Sequence, residues 1–217
     1  MTMQNIHHDI VVIGASAGSL HLLMRIVATL PAGFPAAVFI ITHVSAQNPS
    51  HLSEILDNHG PLPATRAIHG EPIRVGQIYL PQPNRHLLLK NSHIRLVDSP
   101  AENYSRPAID PLFRSAAYHF GPRVVGVILS GLQQDGAIGL RLIKEHGGIA
   151  IVQRPDDAEF PSMPQHALKR VGDNVDYVLK GAEIPSVLQQ VVSNGNTLSR
   201  PIPYHKSSDR IEILQTD

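Results

Sequence analysis

Apolar positions along the chain fall into alternating stretches of strand-like runs and helix-like periods. Ile10-Val11-Val12-Ile13 is an unbroken β-branched run, the pattern of a strand buried on both faces of a parallel sheet. Small residues follow at once, Gly14-Ala15-Ser16-Ala17-Gly18, and residues 20–30 then predict a helix that Pro31-Ala32-Gly33-Phe34-Pro35 ends. Residues 37–42 predict a second buried strand, with His43 where it stops. Residues 50–59 predict a helix with Ser50 as N-cap and Gly60 at its end.

Residues 61–98 change character. Residues 77–80, 86–90 and 93–97 are short strand candidates, the last two joined by an Asn91-Ser92 turn. Together they predict a small β insertion. Residues 99–107 read as a polar loop and 110–120 as a helix that Asp110 or its predecessor starts. The alternation then resumes with a strand at 123–130, a loop at 131–136, a helix at 137–146 and a strand at 148–153. A proline- and acid-rich loop at 154–164 leads to a helix at 165–171, a strand at 177–179 and a last helix at 182–192.

Strands alternating with helices predict an α/β fold: a Rossmann-like parallel sheet with helices on both faces and a small β-hairpin insertion. The 217 residues suit one domain. We expect it to span residues 1–192, with a flexible tail over 193–217 where Asn, Ser, Pro and charge take over.

Composition narrows the chemistry. Acidic and basic residues balance at 18 each, so overall charge draws the chain to neither nucleic acid nor an anionic membrane. The chain has no cysteine, which excludes disulfides, thiolate zinc sites and a cysteine nucleophile together. The 13 histidines are scattered without a His-x-x-x-His pair, so neither a metal nor any other cofactor is expected. No apolar run approaches the ~20 residues that span a bilayer, and the N-terminus lacks a secretory pattern. A cytoplasmic protein without membrane insertion is the expectation.

In parallel α/β sheets ligands bind beyond the carboxyl ends of the strands. Three such ends carry Ser16, His43 and Asp135, the residue types a serine hydrolase requires. A hydroxyl is a poor nucleophile until an imidazole takes its proton, and a carboxylate must orient that imidazole. Gly14-x-Ser16-x-Gly18 also has the spacing of a serine held at the tip of a strand-to-helix turn. Each residue has a duller explanation as well: a turn or cap for Ser16, a backbone-satisfied strand end for His43, a helix cap for Asp135. His86 is the alternative base, and Asp110 or Asp156-Asp157 are alternative acids. Asp135 is preferred because it follows a long buried strand through a short glycine-containing loop.

Other site classes fit less well. A dinucleotide fingerprint would put glycine at Ser16 and an acidic residue at Thr42-His43. The order Ser…His…Asp also departs from the Ser…Asp…His order of α/β-hydrolases.

Several separate segments, in order, resemble the catalytic domain of bacterial chemotaxis protein-glutamate methylesterases of the CheB type. They are Ile13-Gly14-Ala15-Ser16-Ala17-Gly18, Thr42-His43, Arg106-Pro107-x-x-Asp110-x-Leu112-Phe113-x-Ser115, Gly126-Val127-Ile128-Leu129-Ser130-Gly131, Asp135-Gly136-Ala137 and Ser162-Met163-Pro164. The resemblance covers roughly residues 8–192. It implies Ser16 as nucleophile, His43 as general base and Asp135 as the orienting acid. The implied reaction is hydrolysis of glutamate γ-methyl esters on a methylated chemoreceptor or related signalling protein, releasing methanol, with glutamine deamidation as a companion activity.

Departures from the family pattern are local. Ala17 and Ser19 stand where members often carry threonine and glycine, and Gln133-Gln134 replaces a Gly-Asn pair before the aspartate. Both lie where the resemblance implies an oxyanion hole, around Ala17 and Leu132. Many members carry an N-terminal receiver domain; with a first strand at residue 10, a stand-alone catalytic domain is expected. The altered loops keep open a rival: a non-catalytic module of the same fold that binds a receptor or methyltransferase.

Overall fold

The computed structural model describes residues 7–43 and 51–194. In chain order the elements are β1 (Ile10–Ala15), α1 (Leu20–Thr29), β2 (Ala37–Thr42), α2 (Leu52–Asp57), β3 (Ala64–Arg66), β4 (Ile78–Leu80), β5 (His86–Lys90) and β6 (His93–Val97). Then come α3 (Ile109–Phe120), β7 (Val124–Ile128), α4 (Ala137–Glu145), β8 (Ile149–Gln153), α5 (Ser162–Val171), β9 (Tyr177–Leu179) and α6 (Ile184–Asn194).

Seven strands form one parallel sheet in the order β3-β4-β2-β1-β7-β8-β9, and β5 and β6 form a separate antiparallel hairpin. Side chains of β1 alternate between two apolar layers. Val11 and Ile13 pack with Leu23, Leu56 and Leu188 from α1, α2 and α6. Ile10 and Val12 pack with Leu112, Leu140 and Ala167 from α3, α4 and α5, and with Leu87 and Leu96 of the hairpin. Burial on both faces is what the continuous β-branched runs require. The expected α/β architecture with a hairpin insertion is the one observed.

Two expectations are corrected. Residues 77–80 do not belong to the insertion: β4 pairs in parallel with β2 on one side and β3 on the other. Its three residues are all buried, and the Tyr79 ring stacks on Phe39 of β2 at 5.1 Å. Strand β3 has no apolar run to announce it; backbone pairing holds it, and Asp57 Oδ1 accepts the Ala64 N–H at 2.8 Å. Helix α5 starts at Ser162 rather than 165. Pro164 then lies in its first turn, where a missing N–H costs no hydrogen bond. The expected N-cap Ser50 lies outside the described residues. Of the tail expected over 193–217, residues 193 and 194 belong instead to α6, which runs to Asn194, and the rest lies outside the described residues.

The sheet order puts β2, β1 and β7 side by side. The chain builds the sheet from β1 toward β2, β4 and β3, then returns to the other side of β1 with β7. That reversal opens a crevice at the carboxyl edge, the place where such sheets bind ligands.

Candidate active site

The crevice holds the three strand-end residues together. Ser16 directly follows β1 and His43 directly follows β2, while Asp135 lies late in the loop between β7 and α4, just before Gly136 at the helix cap. Nδ1 of His43 lies 3.2 Å from Ser16 Oγ, and Nε2 lies 2.7 Å from Asp135 Oδ2. The His43 side chain is one-fifth exposed and that of Asp135 is fully buried.

Asp135 is held by donors on all sides. Besides His43, its Oδ2 accepts the Ile109 N–H at 2.7 Å; its Oδ1 accepts the Asp110 N–H at 3.0 Å and Asn103 Nδ2–H at 2.8 Å. The two backbone donors are free N–H groups at the start of α3, which favour an anion there. Burial by itself pushes the Asp135 carboxyl up, but hydrogen bonds from His43 and the backbone of Ile109 and Asp110 outweigh it and hold it below the usual aspartate value. An ionised carboxylate only accepts. The imidazole proton therefore sits on Nε2, and the Nδ1 lone pair faces the Ser16 hydroxyl.

Ser130 fixes the turn that carries Ser16. Ser130 O accepts the Ser16 N–H at 3.0 Å, and Ser130 Oγ donates to Ala17 O at 2.9 Å. Its own N–H donates to Gln153 Oε1 of β8 at 2.9 Å. Gly18, at φ 72°, completes the turn in a conformation that glycine adopts without strain. Among the described residues, no group accepts the backbone N–H of Ala17 or Leu132. A cavity of about 290 Å³ opens beside Ser16 and His43, lined by Leu20, Leu52, Ile55, His51 and Glu159 among others.

The alternatives fall outside this cluster. His86 is buried with both ring nitrogens engaged, Nε2 at 3.0 Å from Pro100 O and Nδ1 accepting the Ala108 N–H at 3.2 Å. Asp156 is an exposed partner of Arg154, and Asp157 accepts from the Gly181 N–H and from Gln153 Nε2. Asp110 stands next to the cluster without touching His43: it is buried, accepts the Gly139 N–H at 2.7 Å and shares Asn103 with Asp135. Its explanation as a simple helix-start residue is therefore too small, because it ties α3 to α4. The sequence does not single out Asn103, and Ser130 stands out in it only as part of the segment Gly126-Val127-Ile128-Leu129-Ser130-Gly131. Nothing in a polar loop or at a strand end marks a side chain that reaches a partner far along the chain.

No three His, Cys, Asp or Glu side chains among the described residues converge as a metal would need. No helix among them is long and apolar enough to cross a membrane. The parallel sheet, with a serine, a histidine and an aspartate hydrogen-bonded in series at its carboxyl edge, is the arrangement that hydrolysis by a serine requires. Residues 11–188 match the family described as CheB methylesterase. A Leptospira interrogans protein is 35% identical over 189 residues, covering 87% of this chain and 97% of that one. Protein-glutamate methylesterase/protein-glutamine glutaminase 2 of Anaeromyxobacter dehalogenans is 36% identical over 183 residues, covering 84% of this chain but 53% of that protein. The crystal structure of the Thermotoga maritima CheB methylesterase catalytic domain superposes with a TM-score of 0.78 at 30% identity, covering 86% of this chain and all of that one. The chain belongs to the CheB methylesterase family.

Proposed function

We propose that the chain is a protein-glutamate methylesterase in which Ser16, His43 and Asp135 form the catalytic triad. The observation that carries this is the unbroken path from Ser16 Oγ through His43 to Asp135, at 3.2 and 2.7 Å, at the mouth of a cavity. Ser16 Oγ attacks the γ-carbonyl carbon of a methylated glutamate while Nδ1 of His43 takes the hydroxyl proton. The tetrahedral oxyanion is stabilised by the backbone N–H groups of Ala17 and Leu132, which need no particular side chain. Collapse breaks the ester C–O bond, and His43 returns the proton to the departing methoxide, giving methanol. Water, activated by the same nitrogen, then hydrolyses the acyl-serine to glutamate. Asp135 keeps the imidazole in the required tautomer and stabilises its cation.

The substrate is a methylated chemoreceptor or related signalling protein, met in the cytoplasm. A glutamine side chain in the same position would lose ammonia instead, since the leaving group alone changes. The test is incubation with an activated ester followed by mass spectrometry of the trapped acyl-enzyme. Acylation at Ser16 supports the assignment. A non-catalytic module of the same fold would show no adduct there.

A further inference from the structure

Two buried carboxylates stand side by side behind His43, and a single amide nitrogen separates them. Asn103 Nδ2 lies 2.8 Å from Asp135 Oδ1 and 2.9 Å from Asp110 Oδ2. A primary amide nitrogen carries two hydrogens in a fixed fork, one for each acid. The acids themselves are unequal. Asp135 has four donors; Asp110 has this one and the Gly139 N–H at 2.7 Å.

The turn that presents Asn103 is built to aim it inward. Glu102 and Ser105 exchange backbone hydrogen bonds at 3.1 and 2.9 Å, leaving Asn103 and Tyr104 as the two central residues at φ 50° and 62°. Asparagine accepts that left-handed conformation; tyrosine adopts it only at a cost, and the Tyr104 side chain here is almost wholly exposed. The turn is pinned by a two-pronged ion pair from Arg114 of α3 to Glu102, at 2.7 and 2.8 Å, and by Ser105 Oγ donating to Pro107 O at 2.6 Å.

We propose that Asn103 is a positioning residue for the triad, an amide clamp that keeps Asp135 ionised and aimed at His43 by screening it from Asp110. The inference rests on Asp135 being the triad acid. Without the amide, two buried like charges face each other, and the pair binds a proton more readily. The direction of the Asp110 carboxyl agrees: burial first, then the Asp135 charge, push it above the usual range. A proton that reaches Asp135 weakens its hold on Nε2–H of His43, and the imidazole loses its fixed tautomer.

Asn103→Gly is the informative variant, because glycine keeps the left-handed turn without strain and removes only the amide. Turnover of a small activated ester, measured against pH, is the assay; it does not depend on contacts with a protein substrate. We expect kcat to fall by about 10- to 100-fold, the effect of one lost hydrogen bond to a charged group, with KM changed by less than about 2-fold. The acid limb of the kcat profile should move to higher pH. Adding Asp110→Asn should move the limb back and restore part of kcat, since it removes the second charge. Tyr104→Gly, in the same turn, should leave the limb in place. The Nε2–H proton resonance of His43 is read without substrate, and it should move or broaden in Asn103→Gly. A wild-type pH limb and His43 resonance in folded Asn103→Gly overturn the inference while leaving the triad standing. So does a kcat loss that follows thermal stability alone. If turnover by the wild-type protein survives Ser16→Ala, the triad assignment itself fails.

Discussion

A Cβ added to Gly131 would stand 2.7 Å from the Cβ of Ser16 and would also run into the sulfur of Met163. The loop after β7 thus rests directly on the turn that carries Ser16. Its place is fixed on both sides, by Gly131 N–H donating to Phe160 O and Met163 N–H donating to Gly131 O, each at 2.9 Å. Gly131→Ala should therefore push Ser16 off its line to His43. We expect kcat to fall at least 10-fold and stability to drop by about 1–3 kcal/mol, the usual result of overpacking a tight site. Steady-state kinetics and chemical denaturation of the one variant measure both; unchanged kcat would separate the loop from the reacting geometry.

The two buried aspartates should separate in kinetics. Asp135→Asn leaves an amide against His43 Nε2–H and loses the tautomer, so kcat should fall by roughly 10²–10⁴-fold with little change in KM. Asp110→Asn keeps an acceptor for the Gly139 N–H but sets an NH₂ group against Asn103. It should cost mainly stability, about 1–3 kcal/mol, with kcat nearly kept. Kinetics with the two effects exchanged would make Asp110 the acid.

Their pH signatures should also be opposite. Burial raises the Asp135 carboxyl, but the hydrogen bonds from His43 and the α3 backbone bring it below the ordinary 3.8. Its contribution is therefore present above pH 3.8 and lost as pH falls through the lower folded value. Burial and the Asp135 charge raise Asp110 above 3.8. Its contribution is present below 3.8 and lost as pH rises through the folded value. The stability deficit of Asp135→Asn should shrink on acidification below 3.8, and that of Asp110→Asn should shrink as pH rises above it. Urea melts from pH 3 to 7 resolve the two; parallel curves would refute the opposed shifts.

How much of this was legible in the sequence depended on distance along the chain. The runs at Ile10–Ile13, Ala37–Ile41 and Val124–Ile128 announce central strands because each is buried on both faces, and the three site residues follow those strands closely. Strands β3 and β4 have three residues each, too few for a period to show, so by sequence alone β4 is indistinguishable from the strands of the hairpin. Asn103 lies 32 positions from Asp135 in a loop whose polarity suggests only solvent. Its role comes from tertiary packing, which no local pattern encodes.

At the opposite, amino edge of the sheet His8 is wholly buried, and neither ring nitrogen has a hydrogen-bond partner among the described residues. Burial pushes its imidazole below the ordinary 6.5. Above that value the ring is neutral in both states. As pH falls below 6.5 the unfolded chain takes the proton first, so stability declines until the folded value is passed. His8→Leu should remove this loss, leaving a flatter stability profile between pH 7 and 5 without touching the site. Thermal melts across that range check it, and an unchanged slope would place the titration elsewhere.

The central claim is that Ser16 carries the ester hydrolysis, and methanol release from a methylated chemoreceptor fragment tests it most directly. Wild-type protein should release methanol in proportion to enzyme. Ser16→Ala should be slower by on the order of 10⁴-fold or more, because nothing replaces the nucleophile of a triad in place. The substitution should leave stability within about 1 kcal/mol, since Ser16 is a partly exposed turn residue. Methanol release at the wild-type rate from folded Ser16→Ala would contradict the account.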